Sequence, residues 1–144
     1  DHAGAALKAE LLERIGRRDL GHELVDLGGD GSDPLDDYPD FALRLARAVR
    51  DGEVDRGILI CGSGVGASIA ANKMKGIRAA VCHDVHSAHQ CVEHDDVNVM
   101  CIGAQIVGPW LAKDLIASYL DAKFSTAEEF RRRVAKLADM DAGR

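Results

Sequence analysis

Apolar residues recur along this chain at helical spacing in some stretches and in short continuous runs in others. Between Ala5 and Arg17, leucine and isoleucine recur at helical spacing with charged residues between them, which predicts an amphipathic helix. Pro39 suits the first turn of a second helix, which begins near Asp37 and ends at Gly52. Further helices are predicted from Ala67 to the break at Gly76, from about Val85 to Val92, from Trp110 to Tyr119, and from a capping-box pattern at Thr126 through Ala138.

Short apolar runs alternate with these helices and predict strands. They are His22–Gly28, Ile58–Cys61, Ile77–Cys82 and Val97–Gly103. Strands that alternate with helices indicate a parallel sheet covered on both faces, which is an α/β fold of three layers. Because the first four residues have the character of a turn after a strand, we expect a further strand before Asp1 that is missing from the given chain. With it, the predicted fold is a doubly wound parallel sheet of five strands.

Composition narrows the class of protein. The chain has 144 residues, of which 47% are hydrophobic and 29% charged, so we expect a single domain over 1–144. The net charge of -6 argues against nucleic-acid binding, which depends on basic surfaces. The apolar runs are too short to span a bilayer and no signal peptide is recognisable, so we expect a cytoplasmic protein without membrane association. All cysteines are expected to be reduced thiols, with Cys82 and Cys101 in the core.

The segment Cys61–Gly66 joins a reactive side chain to a glycine-rich turn, between a predicted strand and a predicted helix. Such a turn exposes backbone N–H groups at the positive end of the helix, where a phosphate or an enolate oxygen can bind. The same field favours the thiolate form of Cys61. Moving a proton between adjacent carbons needs a base and donors to an enediolate oxygen, and this turn offers both. The backbone donors are those of Gly62, Gly64, Val65 and Gly66.

Two other groups of residues could mimic metal sites. His83, His86 and His89 are spaced so that their imidazoles approach one face of a helix, but zinc usually takes a closed set of four ligands. The acidic segment Asp30–Asp37 lacks the alternation and the final glutamate of a calcium-binding loop, so it is expected to be a solvated loop. We therefore expect neither a metal nor a cofactor.

Distinctive short motifs are spread over almost the whole chain. They are Asp1-His2-Ala3-Gly4, Asp37-Tyr38-Pro39, the run from Gly57 to Gly66, Ala70-Ala71-Asn72-Lys73, Gly76-Ile77-Arg78 and Glu93-His94. In combination they resemble the type B ribose-5-phosphate isomerase family, which also includes galactose-6-phosphate isomerase subunits. The resemblance implies a flavodoxin-like sheet, metal-free aldose–ketose isomerisation of a phosphorylated sugar, and a homodimer with a shared active site.

The resemblance also implies roles for individual residues. Cys61 removes the proton next to the carbonyl, and the hydroxyl of Ser63 assists. His94 helps to open the sugar ring, while Asp1 and His2 contact the substrate.

The chain departs from the family pattern at several of these places. Asp95 stands where members commonly have an asparagine that contacts the substrate. Arg133 matches one of the C-terminal arginines that bind the phosphate, whereas the earlier one has to be replaced by Arg131 or Arg132. Where some members carry a glutamate base this chain has Ala67, so it resembles the cysteine type. We expect Asp95 and Arg133 to contact the substrate.

Topology separates the two main catalytic candidates. His94 precedes the strand Val97–Gly103 and is expected at the amino edge of the sheet, whereas Cys61 is expected at the carboxyl edge. Strands of about five residues span roughly 17 Å, so the two side chains cannot meet within one subunit. If both act on one sugar, His94 comes from a partner chain. The sequence therefore predicts a homodimer, with the terminal helix at about 126–140 packed on the partner, and leaves a tetramer open.

Three functions are compatible with these observations. The first is an isomerase that interconverts ribose 5-phosphate and ribulose 5-phosphate through an enediolate, with Cys61 as the base. The second is an isomerase of a six-carbon sugar phosphate, galactose 6-phosphate or allose 6-phosphate, because loops of unknown position set the depth of the pocket. The third is a noncatalytic module that binds phosphorylated sugars or nucleotides, since one fold hosts many functions.

Overall fold

The computed structural model describes residues 1–16 and 20–143, which form helices and a small sheet. In chain order the elements are α1 (His2–Ile15), α2 (Tyr38–Arg50), β1 (Gly57–Cys61), α3 (Val65–Ala71), β2 (Ala79–Val81), α4 (Val85–Asp95), β3 (Val99–Gly103), α5 (Pro109–Asp121) and α6 (Glu128–Ala142). Within the described ranges, no helix combines the length and apolar character needed to cross a bilayer. Arg17, where the first helix was predicted to end, lies outside the described residues.

The strands form one parallel sheet in the order β1-β3-β2. Cys61 pairs with Gly103 at the carboxyl end of β1, and all residues of the central strand β3 are buried. Alternate residues of β3 belong to different core clusters, since Met100 and Ile102 pack with α1, α4 and α5, whereas Val99 and Cys101 pack with α2 and α3. The predicted α/β class, a parallel sheet between two helical layers, is therefore confirmed.

The predicted strand His22–Gly28 does not form, so the described residues contain three strands rather than the four that were predicted from Asp1 onward. This segment lines a cleft of about 600 Å³ together with Ile58 and Ile60 of β1. An extended segment becomes a strand only where a neighbouring backbone completes its hydrogen bonds. The segment His22–Gly28 has no such neighbour among the described residues, because the cleft separates it from β1. Lys8 holds the segment instead, because its Nζ donates to Asp26 Oδ1 at 2.8 Å and to the carbonyl oxygen of Gly29 at 2.6 Å.

The fourth helix is one turn longer than predicted. It ends at Asp95 rather than near Val92, where Asp96 adopts a left-handed conformation with a φ of 49°. The side chain of Arg78 donates to the backbone carbonyl of Asp96 at 2.7 Å and to its Oδ2 at 2.9 Å. His94 therefore lies in the last turn of a helix, not in a loop.

The prediction that Thr126 begins the last helix with a capping box is wrong. α6 begins two residues later, at Glu128, and has no side-chain hydrogen bond at its N-cap. Ser125 accounts for the difference, because its backbone N–H donates to the carbonyl of Glu93 at 2.9 Å and its Oγ accepts from the N–H of Ala127 at 3.1 Å. These bonds keep the chain out of helical conformation until residue 128.

The cysteines are free thiols, and all of them are buried. Cys82 and Cys101 belong to the core as predicted. Burial raises the pKa of the Cys101 thiol well above its ordinary value, and the nearby Cys61 adds to this effect. Cys101 is therefore an inert thiol on the strand next to Cys61.

Candidate active site

The turn after β1 brings a backbone donor to the sulfur of Cys61. The side chain of Cys61 is 6% exposed, and the N–H of Gly64 donates to its Sγ at 3.1 Å. Gly64 has a φ of 82°, and a Cβ there would lie 3.2 Å from the backbone of Ile102, so both conformation and space require glycine. A thiolate accepts such a hydrogen bond more strongly than a thiol does. The predicted strand and glycine turn are present, and the helix after them begins at Val65 but ends at Ala71, before the break predicted at Gly76.

The loop after β3 is hydrogen-bonded to the turn that follows β1. The N–H of Ala104 donates to the carbonyl of Cys61 at 2.8 Å, and the N–H of Gln105 donates to that of Gly62 at 3.0 Å. The side chain of Gln105 lies about 3.5 Å from where a Cβ on Gly62 would be. Gln105 is exposed, so its amide is a polar group beside the turn that can reach a bound molecule.

The first turn of α3 leaves backbone donors free. The N–H of Val65 donates to Ser63 Oγ at 3.3 Å, whereas the N–H groups of Gly66 and Ala67 have no acceptor among the described residues. A Cβ on Gly66 would lie 2.6 Å from the ring of Tyr38, so this ring covers the turn at Gly66. Because α3 has only seven residues, its dipole is small, and the individual N–H groups matter more than the helix field.

The beginning of α1 adds polar groups at the same edge of the sheet. Asp1 caps the helix by accepting from the N–H of Gly4 at 3.1 Å, and the peptide between Ile60 and Cys61 lies against Gly4. His2 binds Asp36, whose Oδ1 accepts from the His2 backbone N–H at 2.9 Å and lies 2.6 Å from its Nδ1. Asp1 and His2 are therefore held beside the end of β1, and their contact with a substrate stays a prediction.

The pKa of Asp36 is lower than its ordinary value. Desolvation by itself would raise this pKa, but the hydrogen bonds from the backbone and the imidazole of His2, with the charge of His2, outweigh that effect. The carboxylate is thus ionised at neutral pH and fixes the orientation of the imidazole. Asp1, His2 and Asp36 also offer ligand atoms within 4.8 Å of one another, which is the spacing of a metal-binding group. Hydrogen bonds within the protein already engage these side chains.

A second group of candidate residues lies at the opposite edge of the sheet. His94 stacks on Phe130 of α6, with ring centroids 4.0 Å apart and an angle of 12° between the ring planes. The guanidinium of Arg133 lies 5.6 Å from the centroid of the same Phe130 ring. Asp95, the neighbour of His94, is exposed at the end of α4. Arg131 is turned elsewhere, since its Nε donates to the carbonyl of Ser125 at 2.9 Å.

The described residues therefore contain two separate clusters. The carboxyl-edge cluster consists of Asp1, His2, Asp36, Cys61 and Ser63. The amino-edge cluster consists of His94, Phe130 and Arg133. Cys61 ends β1, whereas α4 carries His94 back to the start of β3, and these strands run parallel and in register. Five residues of strand separate the two edges, a span of roughly 16 Å, so the chain does not bring His94 to Cys61.

Three residues of these surroundings were not identified from the sequence. Asp36 lies in the acidic loop that was predicted to be solvated, and only its position after an apolar run could have indicated a role. Gln105 follows the last strand, where parallel sheets place ligand contacts, and this position was a usable signal. Phe130 gave no signal, because a lone aromatic residue on a charged helix has many explanations.

Comparison with known proteins gives a consistent result. The family model described as Ribose/Galactose Isomerase matches residues 1–137. Ribose-5-phosphate isomerase B of Escherichia coli (strain K12) is 45% identical over 132 residues, which cover 92% of this chain and 87% of that protein. D-erythrulose-4-phosphate isomerase of Pectobacterium atrosepticum is 41% identical over 124 residues, covering 86% and 80% of the two chains. The structure of ribose-5-phosphate isomerase B from Mycoplasma genitalium with bound ribulose-5-phosphate has a TM-score of 0.89 and 36% identity, and the match covers 99% of this chain and 92% of that one.

The fold and the site define a class of protein: an α/β protein that carries a cysteine on a glycine turn at the carboxyl edge of its sheet. The chain belongs to the Ribose/Galactose Isomerase family. It is accordingly an enzyme and an isomerase, which favours the first two functions considered above over a noncatalytic binding module.

Proposed function

We propose that the protein is an aldose–ketose isomerase that interconverts ribose 5-phosphate and ribulose 5-phosphate. Relatives named ribose-5-phosphate isomerase B support this substrate, as does the bound ribulose-5-phosphate in the structure from Mycoplasma genitalium. The reaction moves one proton between C1 and C2 of the sugar and needs neither an oxidant nor a cofactor.

In the proposed mechanism Cys61 is the base. Its thiolate removes the proton from C2 of the open-chain aldose, and the electron pair of the C–H bond forms the C1–C2 double bond of an enediolate. The resulting thiol returns the proton to C1 while the oxygen on C2 becomes the carbonyl of the ketose. The free N–H groups of Gly66 and Ala67 are suited to stabilise the negative oxygen, and Ser63 is suited to pass a proton between the two oxygens.

The observation that carries this proposal is the contact between Gly64 N–H and Cys61 Sγ at 3.1 Å. This hydrogen bond holds the sulfur against the turn, next to the N–H groups of Gly66 and Ala67, which have no acceptor among the described residues. The thiol of Cys101, on the neighbouring strand, has a raised pKa and no such donor in the described residues, so it cannot serve as a base.

We also propose that the active site is shared between two copies of the chain. Ring opening assigned to His94 and proton transfer assigned to Cys61 act on one sugar, yet the two residues lie at opposite edges of the sheet. A two-fold dimer solves this, because each contact is repeated and the carboxyl-edge cluster of one copy meets the amino-edge cluster of the other. Exposed apolar side chains support such an interface: Val65 and Ile69 on α3 are 53% and 55% exposed.

The terminal helix fits the same arrangement. α6 contains no buried residue, and its apolar residues Leu137 and Met140 are 42% and 70% exposed. A helix with this pattern normally covers its apolar side against another element. We assign this role to the partner chain, which would also bring Arg133 near the phosphate of the sugar and Asp95 near the rest of the substrate.

The direct test is an assay of the purified protein with ribose 5-phosphate, allose 6-phosphate and galactose 6-phosphate, each over a range of concentrations. We expect the highest kcat/KM with ribose 5-phosphate. A higher value with a six-carbon substrate would replace the proposed substrate and leave the chemistry unchanged. Erythrulose 4-phosphate belongs in the same assay, because a relative 41% identical to this chain is named for that substrate.

A further inference from the structure

The stacked pair of His94 and Phe130 has a geometry that the proposed chemistry does not by itself require. The ring centroids are 4.0 Å apart and the planes differ by 12°, so the imidazole lies nearly flat on the phenyl ring. Both residues are half-buried. The rotation of an imidazole about its own bond to Cβ is only weakly restricted, so a histidine at a helix end has no fixed ring plane unless a neighbour imposes one. Phe130 is that neighbour.

The position of Phe130 is itself fixed by contacts near His94. The backbone N–H of Ser125 donates to the carbonyl of Glu93, the residue before His94, at 2.9 Å. Arg131 then donates from Nε to the carbonyl of Ser125 at 2.9 Å, which connects the first turn of α6 to the same junction. The start of α6 is therefore attached to the end of α4 by backbone and side-chain bonds, and the two rings face each other across this attachment.

Arg133 shares the support that Phe130 provides. It follows Phe130 by three residues on α6, so the two side chains lie on one face of the helix, and its guanidinium is 5.6 Å from the phenyl centroid. His94, the candidate acid for ring opening, and Arg133, a candidate phosphate ligand, thus contact the same ring of Phe130. An imidazole and a guanidinium held against the same ring keep a fixed spacing, which suits a substrate that has a ring oxygen at one end and a phosphate at the other.

We propose that Phe130 is a positioning residue for ring opening. Its ring fixes the plane of the His94 imidazole so that a ring N–H points at the ring oxygen of the cyclic sugar. The imidazolium donates its proton to that oxygen as the bond to C1 breaks, and the hydroxyl on C1 loses its proton to water as the carbonyl forms. This inference rests on the proposed function, in which His94 opens the ring.

The two directions of the isomerase reaction separate ring opening from proton transfer. Ribose 5-phosphate is a cyclic furanose and has to open before it reacts. Ribulose 5-phosphate carries its phosphate on the oxygen that would close a furanose ring, so it stays open. Exchange of its C1 hydrogen with solvent deuterium therefore reports Cys61 chemistry without ring opening, whereas conversion of ribose 5-phosphate reports both steps.

The experiment compares Phe130→Leu, Phe130→Tyr and Phe124→Leu in both assays at saturating substrate, with His94→Ala as the reference. Phe124 is the matched control, because its ring lies 4.5 Å from the guanidinium of Arg131 but stacks on no imidazole among the described residues. We expect Phe130→Leu to lower kcat for ribose 5-phosphate by about 10-fold, within the range known for misplaced catalytic groups, and to change deuterium exchange less than about twofold. Phe130→Tyr restores most of the conversion rate, and Phe124→Leu matches the unmodified protein.

Other results would overturn the proposal in distinguishable ways. If Phe130→Leu and Phe124→Leu have equal effects, or if exchange falls together with conversion, Phe130 has only a structural role. If His94→Ala slows conversion but Phe130→Leu does not, the inference about Phe130 fails while the role of His94 stands. If His94→Ala leaves conversion unchanged, both fail. Retained exchange in each variant also establishes that it is folded.

Discussion

The two clusters of candidate residues are built by different kinds of interaction. In the carboxyl-edge cluster the backbone holds the groups in place: the N–H of Gly64 contacts the sulfur of Cys61, and the loop after β3 is bonded to the carbonyls of the turn. In the amino-edge cluster, by contrast, side chains on two helix surfaces stack on one another, with Phe130 at the centre. Backbone bonds at a strand end hold the atoms themselves, whereas stacking fixes the plane of a side chain and depends on how two helices pack. The proposed proton transfer at carbon therefore lies in the carboxyl-edge cluster, which we call the rigid cluster. The proposed ring opening lies in the amino-edge cluster, which we call the adaptable cluster.

The largest effect is expected from the sulfur of the rigid cluster. Cys61→Ala removes the proposed base and should lower kcat by about 10³-fold, both for conversion of ribose 5-phosphate and for deuterium exchange into ribulose 5-phosphate. Cys101→Ala, on the neighbouring strand, is the control, and its kcat should stay within about threefold of the unmodified value. Activity measured by a coupled assay and by NMR checks both. Full activity of Cys61→Ala would mean that Cys61 is not the base, and the proposed division of the two chemical steps between the clusters would fail.

Mixing two variants that are both impaired in the conversion of ribose 5-phosphate tests, by that assay, whether the clusters of two chains form one site. Cys61→Ala and His94→Ala chains, unfolded together and refolded at equal ratio, should form heterodimers in half of the molecules. Each heterodimer has one site with both residues intact, so roughly a quarter of the unmodified activity is expected. A mixture that stays as inactive as its parents would contradict the shared site. Separately refolded and then mixed chains provide the control.

Gly64→Ala sharpens the claim that the backbone fixes the rigid cluster. A Cβ there would be strained by the φ of 82° and would lie 3.2 Å from Ile102, so we expect a loss of about 1–3 kcal/mol in unfolding free energy and about 10²-fold in kcat. Gly76→Ala is the matched control, since Gly76 has a φ of 85° but open space around it. It should cost about 1 kcal/mol in stability and leave kcat unchanged. Urea unfolding and steady-state kinetics measure the two quantities. Equal losses of activity would mean that the contact with Cys61 is unimportant.

The smallest effect concerns Asp36 and its dependence on pH. Because the folded state lowers the pKa of this carboxyl below its ordinary value of 3.8, its contribution to stability is present above that value and is lost as the pH falls through the folded-state pKa. Asp36→Asn should therefore lower the urea midpoint at neutral pH, and the difference from the unmodified protein should shrink below about pH 4. Asp37→Asn is the control, as the Asp37 side chain makes no capping hydrogen bond. A difference that is constant with pH would argue against an ionised Asp36 bound to His2.

Local sequence patterns were sufficient to predict most of the rigid cluster. The strand before Cys61, the glycine turn and the helix after it are specified by residues that are neighbours in the chain, and the structure contains all three. The segment His22–Gly28 was predicted wrongly, because a strand exists only with a partner, and no pattern within the segment states whether the partner is present. Sequence thus predicts the capacity to be a strand but not the pairing.

The adaptable cluster was predicted only in part, for a related reason. His94 was placed at the correct edge of the sheet, although in a loop rather than in the last turn of α4. Its contact with Phe130 depends on how α6 packs against α4, and thirty-five residues of chain separate the two rings in sequence. Packing between distant helices leaves no periodic signal, so neither the stack nor the support of Arg133 could be predicted.

The ring of Tyr38 over Gly66 has a consequence for anyone who would redesign this protein. The phenol occupies the volume that a side chain at position 66 would need, since even a Cβ would lie 2.6 Å from it. Residues 38 and 66 are therefore best varied together. A side chain at position 66 requires the exposed ring of Tyr38 to move, whereas a library that also shortens residue 38 opens room for a new side chain beside Cys61.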